Sequence, residues 1–99
     1  MKHELRVYQL APGKMAEWMA CFTRDVIPKH AELGITVRAV WFDENKSEMV
    51  WIRDAASAER VADLEAKLAA IPGLMEAAKA TGLVVKETRQ LTNWVAPRF

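Results

Sequence analysis

The chain has 99 residues, 52% of them hydrophobic and 27% charged, with a formal net charge of +1. That length sets one small domain, residues 1–99, with a single modest core, and so small a charge gives no electrostatic case for nucleic acid or for an anionic membrane surface. The lone cysteine, Cys21, excludes an intrachain disulfide, and no apolar run approaches the roughly 20 residues of a membrane span.

Met1-Lys2-His3-Glu4 leads directly into a strand without the apolar stretch of a secretory signal, so a soluble, reducing, cytoplasmic setting is expected. Glu4 to Leu10 alternates as a strand, with Leu5 and Val7 on one side and Arg6, Tyr8 and Leu10 on the other. Ala11-Pro12-Gly13 breaks it. A helix is then predicted from about Lys14 to Leu33, because Met15, Trp18, Met19, Phe22 and Val26 share one helical face. Pro28 is expected to end or kink its regular part, and Gly34 suits a left-handed stop.

Ile35 to Asp54 reads as a β-hairpin with Asp43-Glu44-Asn45-Lys46 at its tip. Trp41 beside Phe42, and Val50-Trp51-Ile52 in a row, put large apolar groups on both sides of it. Asp54 or Ser57 can cap the next helix. Val61, Leu64, Leu68 and Ile71 form its apolar seam, with Glu59, Arg60, Asp63, Glu65 and Lys67 off the seam and mostly solvated. Pro72-Gly73 interrupts the helix, Leu74 to Ala80 adds a further piece, and Leu83 to Trp94 reads as the last strand before a short tail.

The order β-α-β-β-α-β defines an α+β, ferredoxin-like fold: a four-stranded antiparallel sheet with helices on one face. The other face would carry part of Tyr8, Val40, Phe42, Val50, Ile52 and Leu91, or the opposite set if the register slips by one. So much apolar sheet calls for a covering surface, and a homodimer through the sheet face supplies it.

With the strands placed, the chain resembles the NIPSNAP family of dimeric α+β barrels. Glu4-Leu5-Arg6 with Tyr8 resembles the opening strand, Pro12-Gly13-Lys14 the turn into the helix, and Leu33-Gly34-Ile35 the junction out of it. Trp41 stands where the second strand usually carries a tryptophan, and Arg53 with Glu59-Arg60 resembles the segment after the third strand. Ala39 replaces a frequent glycine, and Asp54 a frequent aromatic. The resemblance implies a ferredoxin-like subunit paired through its sheet, and no single activity. The wider fold group includes cofactor-free monooxygenases, haem-degrading enzymes, isomerases and binding proteins, and fold alone does not choose among them.

His3, His30 and Cys21 lack the spacing of a metal site, so no metal is expected. There is no P-loop, dinucleotide fingerprint or nucleophile elbow. His30, after Pro28, either moves a proton near neutral pH or sits as a solvated or capping group. Arg6, Arg38 and Arg53 either hold a carboxylate or enolate or make inter-strand ion pairs, for example with Glu4. Tyr8 can donate to a ligand carbonyl. Trp18, Trp41, Trp51 and Trp94 either fill core and interface or line a small-molecule cavity.

The leading reading is a cofactor-independent enzyme, monooxygenase- or isomerase-like, acting on a small hydrophobic or aromatic molecule. Its pocket lies between sheet and helices and is lined by Trp18, Phe22, Trp41 and Trp51. His30 or Tyr8 assists proton transfer, and Arg6 or Arg53 holds a developing oxyanion. The competing reading is a non-catalytic dimer that binds a small hydrophobic ligand or a protein; a third makes His30 an axial haem ligand.

Overall fold

The computed structural model describes residues 2–91; the predicted strand end at Trp94 and the tail lie outside them. The elements run β1 Lys2–Gln9, α1 Met15–Cys21, a π-helical turn Phe22–Val26, α2 Ile27–Glu32, β2 Thr36–Asp43, β3 Glu48–Ala55, α3 Ala58–Ala70, α4 Leu74–Ala80 and β4 Val84–Leu91. The four strands form one sheet in the order β2-β3-β1-β4, with every neighbouring pair antiparallel. This is the predicted ferredoxin-like arrangement. No described helix is long and apolar enough to cross a membrane.

The predicted first helix runs on past Pro28 as one rod, but its regular α-helical part gives way ahead of the proline to the π-helical turn Phe22–Val26. Pro28 occupies the first turn of α2, where a missing backbone N–H is harmless. Just ahead of it the rod widens: the Ile27 N–H reaches the Phe22 carbonyl, five residues back. Gly34 ends the rod with φ 69°. Of the two candidate caps, Ser57 starts α3, its Oγ accepting from the Arg60 N–H at 3.3 Å, while Asp54 stays inside β3.

The register sorts the side chains. Glu4, Arg6 and Tyr8 of β1 pair with Arg53, Trp51 and Met49 of β3, and these six share the helix side of the sheet. Leu5, Val7, Val50 and Ile52 share the open side. The predicted open-face set is corrected in part: Val50, Ile52 and Leu91 belong to it, whereas Tyr8, Val40 and Phe42 lie on the helix side. That set took even-numbered residues from three strands, but the ladders join even to odd, as in Tyr8 with Met49 and Val40 with Trp51. The hairpin is buried on both sides only along β3. Its outer strand β2 leaves Trp41 54% and Phe42 45% exposed.

Trp18, Phe22, Met49, Trp51, Leu64 and Leu74 form the centre of the core, between the sheet and the helices. The chain closes around it where the Ala11 N–H donates to the Thr81 carbonyl at 3.0 Å. Gly82 follows, with φ 72° and with any added Cβ only 2.9 Å from the Ala11 Cβ. Gly34 has the same backbone requirement but open space around it. Urea denaturation should therefore show Gly82→Ala losing more stability than Gly34→Ala, about 2–3 kcal/mol against about 1 kcal/mol. Equal losses would mean that the approach to Ala11 is slack.

Candidate functional site

A cavity of about 280 Å³ lies between the helix side of the sheet and the helices. Its wall is mainly apolar. Trp18 and Phe22 come from the first rod, Leu68 and Ala69 from α3, Leu74 and Ala78 from α4, and Trp51 from β3. Met75 and Val85, both about half exposed, also line it. Four polar residues join the wall: Arg6, Tyr8, Arg53 and Glu65. Trp51 is the centre of a ring cluster, edge-on to Phe22 at 5.1 Å, to His30 at 5.4 Å and to Tyr8 at 5.7 Å. Such tilted and edge-on contacts suit the ring quadrupoles.

Arg53 is 1% exposed, and a buried guanidinium persists only where its charge and donors are matched. Its Nε donates to Glu4 Oε1 at 3.0 Å and its Nη2 to Glu65 Oε1 at 3.1 Å. Its Nη1 lies 3.3 Å from His30 Nε2, and its carbon centre stands 5.4 Å from the Trp51 ring centroid. His30 is fully buried, with Nδ1 2.7 Å from the Val26 carbonyl. Only one tautomer satisfies both contacts: Nδ1–H donates to Val26, and bare Nε2 accepts from Arg53. Burial holds the His30 pKa below its ordinary 6.5, and the Arg53 and Arg6 charges add to this, against opposite pulls from the Val26 carbonyl and Glu65.

Arg6 sits differently. Its Nε donates to the Tyr8 hydroxyl at 3.2 Å, and its guanidinium stands 5.5 Å from the Tyr8 ring and 5.9 Å from that of Trp51. Among the described residues it has no carboxylate partner within ion-pair distance. On the open face, Asp54 is held by His3 Nδ1 at 2.6 Å and by Arg38 Nε at 3.0 Å.

The cavity thus brings together Arg6, Tyr8, Trp18, Phe22, Trp51 and Arg53. His30 stands behind Arg53 and outside the wall, with both ring nitrogens engaged. Trp41 is on the opposite side of the sheet, level with Val50. Glu65, set off the α3 seam among residues expected to be mostly solvated, is indeed half exposed, but its place at the wall and its pairing with Arg53 were missed. It directly follows Leu64 and precedes Leu68 by three, so it borders the α3 seam, and that position was the available signal. Among the described residues, no group of three or more His, Cys, Asp or Glu is placed to hold a metal.

Fold and site together define a ferredoxin-like α+β protein with an aromatic-walled cavity under its helices. The NIPSNAP family pattern matches residues 3–96, and the chain belongs to the NIPSNAP family. It is similar to a NIPSNAP family protein of Agrobacterium tumefaciens C58, at 20% identity and TM-score 0.69 over 98% of each chain. It is also similar to an uncharacterized NIPSNAP domain protein of Burkholderia xenovorans, at 16% identity and TM-score 0.61, covering 99% of this chain and 95% of that one. A candidate antibiotic biosynthesis monooxygenase of Chloroflexus aurantiacus shares the fold at 12% identity and TM-score 0.63, covering 98% and 96%. No curated protein matches the sequence.

Two stability predictions follow from the Arg53 cluster. Arg53→Met strands the mostly buried Glu4 carboxylate and should cost about 3–5 kcal/mol in urea denaturation, whereas Glu65→Gln, at a half-exposed position, should cost under about 1 kcal/mol. Comparable losses would contradict this ranking. For His30, the unfolded chain binds a proton near pH 6.5 that the folded chain resists. Its contribution is therefore constant above that pH. It is lost as pH falls below 6.5 towards the lowered folded value, by up to about 1.4 kcal/mol per pH unit. His30→Gln should remove this part of the acid slope, and identical slopes in the two proteins would contradict it.

Proposed function

We propose that the protein is a cofactor-independent enzyme that binds a small, ring-bearing, largely apolar molecule in this cavity and moves a proton next to its carbonyl group. The observation that carries the reading is the Tyr8 hydroxyl, hydrogen-bonded to Arg6 on the wall of a mainly apolar cavity. A polar pair in water-poor surroundings stabilises charge developing on a substrate oxygen more strongly than the same pair in water. Tyr8 donates to that oxygen and Arg6 supports it. The Glu65 carboxylate is the acid–base group at the wall and takes the proton from carbon, leaving an enolate. In an isomerase-type reaction the proton returns to another carbon. With dioxygen as co-substrate, an enolate formed at a CH2 carbon bonds one oxygen atom, the O–O bond breaks, the carbon loses its second hydrogen to become a carbonyl, and the other oxygen leaves as water with the two hydrogens. The shared fold of the Chloroflexus protein supports considering the second course.

His30 and Arg53 enter this scheme as positioning residues. Both ring nitrogens of His30 are engaged, and Arg53 is matched by two carboxylates, so they fix Trp51 and Glu65 in place. The protein also pairs with a second copy through the open sheet face, where Leu5, Val7, Trp41 and Val50 lie together; a setting in the cytoplasm fits both readings.

Two measurements test the proposal. Incubation with anthrone and with 2-tetralone, followed by oxygen uptake and by deuterium exchange at the acidic carbon, should show acceleration over buffer. Tyr8→Phe should reduce it about a hundredfold. Binding of these probes with no acceleration of either process would favour the non-catalytic reading. In solution the chain should run as twice 11.2 kDa and Trp41→Glu as 11.2 kDa; a wild-type monomer would remove the pairing.

A further inference from the structure

The cavity wall treats its two arginines unequally, and that difference bears on the charge of the ligand. Arg53 is matched by Glu4 and Glu65. Arg6, on the neighbouring strand and directly opposite Trp51, has only the Tyr8 hydroxyl and two ring faces among the described residues. A cation that borders an apolar space without a counter-charge raises the affinity of that space for an anion.

The indoles bound the same space but offer it no donor. Trp18 is 3% exposed and Trp51 1% exposed, and both belong to the wall. Their Nε1 atoms are the buried side-chain polar atoms that find no hydrogen-bond partner among the described residues. With no exposed surface, those N–H groups stay within the core, and the cavity offers a ligand's polar end the Arg6 cation and the Tyr8 hydroxyl, which suit a group that accepts hydrogen bonds and carries negative charge. The rest of the wall is aromatic and aliphatic. Its volume of about 280 Å³ lies at the small end of ligand cavities, which suits one or two fused rings.

We infer that the cavity selects an aromatic monoanion, a one- or two-ring carboxylate or its enolate equivalent, and seats its oxygens on Arg6 and Tyr8. This rests on reading the cavity as a ligand site and adds the ligand's charge and its anchor. Glu65, the one carboxylate among the described residues of the wall, sets the polarity of binding. Glu65 repels an anion at its own end of the cavity, so the charged end points to Arg6 and the rings towards Leu68 and Leu74.

The test compares 2-naphthoate with 2-naphthalenemethanol, a neutral molecule of nearly the same shape, in titrations of tryptophan fluorescence on the full chain. The wild type should bind the carboxylate roughly tenfold to a hundredfold more tightly than the alcohol. Arg6→Met should abolish that preference while leaving affinity for the alcohol within about threefold, with circular dichroism reporting whether the variant folds. Equal wild-type affinities for the two probes would overturn the anion assignment while leaving the cavity a ligand site, and this comparison needs no variant. A preference that survives in folded Arg6→Met would overturn the assignment of the anchor. Failure of both probes to bind would remove the ligand-site reading, and this inference with it.

Discussion

A guanidinium that is 1% exposed is the constraint on which the rest of this domain depends. Taking a charged group out of water costs several kcal/mol unless its donors and its charge are both met. Here Glu4 from the adjacent strand, Glu65 from α3, and His30 from the end of the first rod all converge on Arg53. One residue therefore ties a strand pair to both the first rod and α3. The same cluster fixes Trp51, which lies under Arg53 and against His30, and Trp51 in turn is a wall of the cavity. The stability of the fold and the shape of the site are set by one group of contacts.

The sheet divides its work by face. On the helix side, the even-numbered residues of β1 and the odd-numbered residues of β3 build the cavity and its polar groups. On the open side, the alternate residues present Leu5, Val7 and Val50, with Trp41 beside them on β2. Asp54 there is held between His3 and Arg38. A pleated strand allows this division because successive side chains point to opposite sides. It also makes the two functions proposed for the domain, ligand binding and pairing, separable by mutation along a single strand.

The element order was readable because its punctuation is local. Pro12-Gly13, Gly34, the polar hairpin tip and Ser57 each act over a few residues, and the alternation between them is strong. The membership of each face was not, because it depends on register. The irregularities between Val37 and Ala39 and between Val7 and Tyr8 have no signature in composition. Trp41 was read into the pocket because its hairpin was paired even to even, whereas the ladder joins even to odd, as in Phe42 with Met49. His30 was recognised as unusual, but its role turns on Arg53, 23 residues away in sequence. Glu65 was set aside because it lies off the α3 seam; its place beside Leu64 was visible, but its partner Arg53 was not. The π-helical turn ahead of Pro28 left no trace in the apolar spacing, since Phe22 and Val26 stay on one face either way.

A neutral His30, held in one tautomer, completes the coordination of buried Arg53. Long-range proton–nitrogen correlation spectra of the imidazole read that tautomer. They should show a protonated Nδ1 and a bare, hydrogen-bonded Nε2, unchanged as pH is lowered past 6.5, the ordinary value for the group. An Nε2–H tautomer, or an imidazolium forming at 6.5 as in an exposed histidine, would contradict this.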